Sequence, residues 1–184
     1  MSLEQIYFFI KLLASLLVIG SMAGFGFYES MRLTQRLRLL KELYHMVMLL
    51  GSEIKYTALP VPEAVSRIGG RTEGAVKTFL DGVAAQLYLQ SGDSLAKVWR
   101  TQAQICFEDS PLKAEDMRLI KEIGDNLGYG DRQTQVGAVG LCMENFRMSI
   151  QRLEKNVPAK KRLYQCLGLF SGFLSCLLYT SRCV

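Results

Sequence analysis

Proline, histidine and paired cysteines are scarce in this sequence, and each scarcity argues against something. Only four prolines occur in 184 residues, Pro60, Pro62, Pro111 and Pro158. Proline breaks a helix from within, so long stretches are left free to be helical. No segment shows the alternation of a strand. His45 is the one histidine, and a single histidine with only Glu42 at ligand spacing falls short of a zinc ligand set and limits histidine-based triads. The five cysteines, Cys106, Cys142, Cys166, Cys176 and Cys183, form no CxxC pair and read as reduced, small apolar residues. Gly69-Gly70-Arg71-Thr72 lacks the spacing and the lysine of a phosphate-binding loop. No metal, no cofactor and no catalytic residue is expected. The net charge of +5 is modest. Its densest basic groups, Arg32 to Lys41 and Lys155 to Arg162, flank apolar segments instead of covering one face with interleaved aromatics, which argues against nucleic acid.

Apolar residues are concentrated at the two ends. Ile6 to Phe27 carries one charge, Lys11. As a helix it spans roughly 33 Å, enough for a bilayer core. Lys11 would cost roughly 3 kcal/mol at the bilayer centre, but about one turn from the edge it can reach the headgroups. The rival is a cleavable signal peptide ending at Ala23, with Ser21-Met22-Ala23 as the small-x-small site. It is opposed by Glu4, by the absence of a basic residue before the apolar core, and by the length of that core. Arg32, Arg36, Arg38 and Lys41 follow the span, so the positive-inside bias puts residue 30 onward in the cytoplasm. Lys155, Lys160, Lys161 and Arg162 place the entry to a second apolar segment on the same side.

Between these ends the periodicity is helical. Leu33, Leu37, Leu40, Tyr44, Val47, Gly51 and Ile54 form a seam in steps of three and four, ended by Leu59-Pro60-Val61-Pro62. A short helix follows through Ala64, Val65 and Ile68, closed by Gly69-Gly70. The third, Glu73 to Gln90, carries Val76, Phe79, Leu80, Val83 and Leu87 on one face. The fourth, capped by Asp93 or Ser94, carries Leu95, Val98, Trp99 and Ile105. Ser110-Pro111 marks the start of the fifth, with Glu115 and Asp116 set against its dipole and Met117, Ile120, Ile123 and Leu127 on one face. The sixth carries Val136, Val139, Met143, Phe146, Ile150, Leu153 and Val157. The expected architecture is all-α: a transmembrane anchor over 1–28, an antiparallel bundle of about six helices over 29–163 on the cytoplasmic side, and a C-terminal apolar membrane helix over 164–184.

Gly20 with Gly24, and Gly168 with Gly172, are spaced for close packing of membrane helices, although glycine is common in such helices in any case. Trp99 reads as core. A membrane enzyme using carboxylates of the bundle stays open as an alternative, as does a secreted helical protein released after Ala23.

Two stretches carry a resemblance. Glu53-Ile54-Lys55-Tyr56 followed by Leu59-Pro60-Val61-Pro62-Glu63-Ala64 is similar to the Glu-Ile-x-Tyr and Pro-Leu-Pro-Glu-Ala sequences of the stage III sporulation protein AB family, with Val61 where leucine is usual. Leu127-Gly128, Asp131 and Gln135 resemble its Leu-Gly-x-x-Asp-x-x-x-Gln turn. The likeness runs along essentially the whole chain. It implies a part in endospore formation, in the membrane assembly linking mother cell and forespore. It also implies a helical domain like the cytoplasmic domain of the type II secretion system F and pilus platform proteins. The implied partners are the ATPase of the assembly, stage III sporulation protein AA, with other stage III A membrane proteins, the lipid bilayer and further copies of the chain. The expected partner surface is Glu53, Tyr56, Pro60, Pro62 and Glu63. The implied location is the mother-cell membrane.

Tyr164 to Tyr179 would be only about 24 Å long as a helix. Cys176 to Ser181 resembles one reading frame of a transposon adaptor, and Arg182-Cys183-Val184 the start of its inverted copy. On that reading the natural sequence continues past Ser175 and the second span is longer.

Overall fold

The structure, a computed structural model, describes residues 3–57, 59–89, 92–127 and 132–180, with side chains chiefly over 24–157. Among the described residues there are six helices and no strand, in agreement with the all-α expectation: α1 Leu3–Tyr56, α2 Val61–Gly69, α3 Gly74–Tyr88, α4 Leu95–Phe107, α5 Ala114–Leu127 and α6 Arg132–Thr180. α1 is continuous past Gly24 and Gly26, and α6 past Pro158. Two compact units result, Gln35–Leu153 and, separately, Met1–Thr34 with Glu154–Val184. Among the described residues no helix is long and apolar enough to cross a membrane; most side chains of Ile6–Phe27 and Tyr164–Tyr179 lie outside them.

In the unit Gln35–Leu153, α2 packs on α3, α3 on α4 and α4 on α5. α1 meets α6 where Gly51 faces Val139, whose Cγ1 would lie 3.1 Å from an added Cβ. The core takes Leu40, Leu43, Met46 and Val47 from α1, Phe79, Leu80 and Val83 from α3, and Ile120, Ile123 and Phe146 from the later helices, all fully buried. Each such side chain contributes about 1.5–3 kcal/mol by leaving water. At the centre Phe79 meets Trp99 edge-on at 4.8 Å and Phe107 at 5.4 Å. Trp99 is core, as expected. Its indole Nε1 donates to the Ile120 carbonyl at 2.7 Å, which satisfies the buried polar atom. The ring lies against Gly124, where an added Cβ would fall 2.4 Å from it.

Three local details differ from the sequence expectation. The buried stripe of α1 runs through Arg36, Leu40, Leu43, Val47, Leu50 and Glu53, beside the expected seam; Leu33, Leu37, Tyr44 and Ile54 are half-buried. Ile105 is exposed, because the buried positions of α4 are Val98, Trp99, Ala103 and Phe107 and residue 105 falls off that stripe. α5 begins at Ala114, not at Ser110-Pro111. Ser110 instead closes a turn, its hydroxyl donating to the Phe107 carbonyl at 2.6 Å. The start of α5 is made by Asp116, whose carboxylate accepts from the Lys113 amide at 2.8 Å, the reach-back half of a capping box.

The caps elsewhere follow the sequence. Ser94 accepts from the Lys97 amide at 3.3 Å, and Pro62 sits in the first turn of α2, where its missing N–H costs nothing. Gly92, at φ +74, occupies the left-handed region in the break before α4.

Candidate partner-docking cleft

α1 ends at Tyr56, and the amide of Thr57 still bonds to the Glu53 carbonyl at 2.9 Å. Proline at 60 and 62 stops the helix and restarts the chain as α2. The end of α1, this linker and the start of α2 meet the end of α5 and the start of α6 around a cleft of about 230 Å³. Its apolar wall is Leu50, Ile54, Leu59, Val61, Ala64 and Leu127, and its polar groups are Glu53, Thr57 and Gln135. The two stretches that carry the family resemblance therefore line one cavity, although they are some 70 positions apart in the chain. Gln135 explains its own place in the second stretch: its Nε2 donates to the Leu127 carbonyl at 3.1 Å, satisfying a carbonyl that the last turn of α5 leaves open. Gly128 and Asp131 lie outside the described residues.

The five residues expected to form the partner surface divide into two kinds. Glu53 is buried at 9 % exposure. One carboxylate oxygen accepts from the Thr57 hydroxyl at 2.6 Å, and Arg67 and Arg71 bring guanidinium nitrogens to 3.8 Å. Those two contacts are Coulombic, too long for hydrogen bonds. Arg67 also stands 3.9 Å from Glu63. Tyr56, Pro60 and Glu63 are exposed and Pro62 is half-buried, so a partner reaching the cleft would meet these first. Of the glycines expected to pack membrane helices, Gly20 and Gly24 face open space, with nothing within 4 Å of an added Cβ. Gly168 and Gly172 lie outside the residues whose side chains are described.

A second buried charge was not legible in the sequence. Asp116 is completely buried and Arg36 is 7 % exposed. Arg36 donates to Asp116 from Nε at 2.7 Å and from Nη2 at 3.0 Å, and Nη2 also donates to Glu115 at 2.8 Å. Burial works against the guanidinium charge, but the bonds to the two carboxylates outweigh it and raise its pKa above the ordinary value. Glu115 and Asp116, expected to serve the helix dipole, thus also tie α5 to α1.

Seventeen positions of α1 separate Arg36 from Glu53, about 25 Å along the helix. The two buried carboxylates stand too far apart to act on one bond, and each already faces arginine. Burial pushes the Cys142 thiol up to about 11, with Glu122 adding to the shift, and raises Cys106; both are far from thiolate chemistry. Among the described residues no group of His, Cys, Asp and Glu could hold a metal ion, and His45 is exposed.

The comparisons with known proteins agree with one another. A family model described as stage III sporulation protein AB matches residues 11–179. The stage III sporulation protein AB of Bacillus subtilis (strain 168) is 24 % identical over 169 residues, covering 92 % of this chain and 98 % of that protein. A solved structure of a stage III sporulation protein AB matches with a TM-score of 0.62 at 24 % identity, covering 67 % of this chain and 96 % of the other, and so shares the fold.

Proposed function

We propose, since this chain belongs to the stage III sporulation protein AB family, that it is a membrane-anchored, non-catalytic platform of the sporulation assembly linking mother cell and forespore. In this reading it docks the cytoplasmic ATPase of that assembly, stage III sporulation protein AA, among the other stage III A proteins. The observation that carries the docking is the convergence of both family-like stretches on the cleft beside Glu53. An exposed rim of Tyr56, Pro60 and Glu63 surrounds a small apolar hollow, the arrangement of a pocket that receives one anchoring side chain. The charge buried there is held by the Thr57 hydroxyl and by two long arginine contacts, and in this reading a partner rearranges the long ones.

The anchor is proposed for 1–28, with the bundle over 29–163 facing the cytoplasm and a second membrane helix over 164–184. Leu13, Leu17, Phe25 and Phe27 are exposed in the unit that contains them, as lipid-facing residues are. Packing of membrane helices through Gly20 and Gly24, and through Gly168 and Gly172, belongs to the same proposal, as does self-association.

Co-purification of the full chain with the ATPase in detergent tests the docking. Tyr56→Ala and Glu63→Lys alter exposed groups and leave the bundle intact. Both are expected to lower recovery of the ATPase by about tenfold, as removal of an interface anchor does. Recovery unchanged in both rejects this surface. An intact N-terminus in the alkali-washed membrane fraction is expected; a chain beginning after Ala23 in the medium would reject the anchor.

A further inference from the structure

A second groove, sharing no residue with the cleft, lies where α5 is flanked by α4 and α6. Its volume of about 1150 Å³ exceeds the roughly 300–1,000 Å³ of small-molecule pockets. Its walls run from Ala114 to Asp125 on α5 and from Asn145 to Arg152 on α6, about 17 Å and about 10 Å, so that both walls flank a run of two helical turns. That length suits an amphipathic helix laid in a groove.

The groove holds charge of both signs, but the two are not equally available. Glu115 is matched by Arg36 at 2.8 Å and Asp125 by Arg100 at 2.6 Å. Lys121 donates at 3.0 Å to Gln104, which is neutral and leaves the lysine charge uncompensated. Arg118 and Arg152 are exposed and, among the described residues, have no hydrogen-bond or ion-pair partner. Only Glu122 stands against these three cations. The apolar part of the lining includes Met117 and Met148, whose unbranched side chains adapt to varied surfaces. Arginine and methionine are both enriched where proteins meet.

We infer that this groove docks an acidic amphipathic helix of a partner protein, about two turns long, whose carboxylates pair with Arg118 and Arg152 and whose apolar edge rests on Met117 and Met148. The planar guanidinium fork matches a carboxylate in two parallel bonds, which fixes the register of such a helix. A second copy of the chain is a poorer occupant: the net charge of +5 repels like copies and draws acidic partners.

The test is selection from a displayed library of short helical peptides by the full chain in phosphatidylcholine nanodiscs. Three proteins are compared: wild type, R118E/R152E, and K77E/K97E, whose lysines lie outside the groove and whose charge change is the same. Wild type and K77E/K97E are expected to enrich peptides rich in Asp and Glu. R118E/R152E is expected to retain those peptides at least about tenfold less well and to shift selection toward Lys and Arg. R118Q/R152Q carries the same expected loss of acidic peptides and serves if the reversal unfolds the bundle. Absence of acidic enrichment on wild type, equal enrichment on the groove variants, or equal loss in K77E/K97E overturns the inference. Displacement of the selected peptides when the discs are rich in phosphatidylglycerol assigns the groove to lipid headgroups and overturns it too.

Discussion

Among the described residues two carboxylates are buried, and arginine meets both, yet the two sites are built differently. Asp116 is sealed from water and held by a bidentate guanidinium at 2.7 and 3.0 Å, with a backbone amide on the same carboxylate. Glu53 is held by one hydroxyl at 2.6 Å and by two half-exposed arginines at 3.8 Å. The first arrangement has one geometry and no slack. The second leaves most of the charge to longer contacts with arginines that water reaches. α5 runs from one to the other: its first turn is pinned to α1 through Asp116, its middle carries the indole of Trp99, and its last residue lines the cleft. The bundle is thus locked at one end of α5 and left adjustable at the other, beside the exposed residues proposed to meet a partner.

The largest effect is expected at the locked end. Asp116→Ala leaves Arg36 buried without a hydrogen-bonded carboxylate apart from the exposed Glu115, and should cost about 3–5 kcal/mol. Chemical unfolding of the full chain in detergent, followed by helical circular dichroism, reads this as a lower midpoint. Arg36→Met with Asp116→Leu removes both charges and should return stability to within about 1 kcal/mol of wild type or better, because the desolvation cost goes with them. A double variant no better than Asp116→Ala would mean that the cap on Lys113, not the ion pair, is what holds α5.

Next in size is Gly124→Ala. The added Cβ would lie 2.4 Å from the Trp99 ring, a rigid body held by its bond to Ile120. Overpacking of this kind costs about 1–3 kcal/mol. Gly82→Ala is the matched control: there the nearest atom is the end of the Gln102 side chain at 2.5 Å, which can swing away. Equal losses in the two would show that the contact at Gly124 yields as easily as the half-buried Gln102 side chain does.

The same contrast explains what could be read from the sequence. The helices of the bundle were legible because Val76, Phe79, Leu80 and Val83, or Val139, Phe146, Ile150 and Leu153, repeat at helical spacing with nothing to interrupt them. Arg36 and Glu53 sit on the buried stripe of α1, where their charge reads as a break, so the expected seam ran beside the true one. Apart from Thr57, one turn after Glu53, their partners lie 80 and 14 to 18 positions away, which no local pattern contains. Ile105 shows the converse: an apolar residue at a plausible spacing, turned outward because Ala103 and Phe107 set the phase of α4. The cleft was half legible. Its two stretches could be named from resemblance, but nothing in either announces that they meet, because the chain between them is most of the bundle.

The smallest effects are expected at Glu53, and they separate adjustment from support. Glu53→Gln keeps the shape and can keep the Thr57 bond, losing only the attraction of two arginines that water already reaches. Its cost should be about 1 kcal/mol, and that of Arg71→Ala below about 1 kcal/mol, because both arginines are exposed and water screens their pull on Glu53. If the long contacts serve docking, both variants should still lower recovery of the ATPase while the unfolding midpoint scarcely moves. A loss of stability near that of Asp116→Ala would make Glu53 a second lock, since only a charge with no alternative partner costs so much to disturb. The cleft would then be a rigid socket, and any selectivity for a partner would have to come from the exposed Tyr56, Pro60 and Glu63 alone.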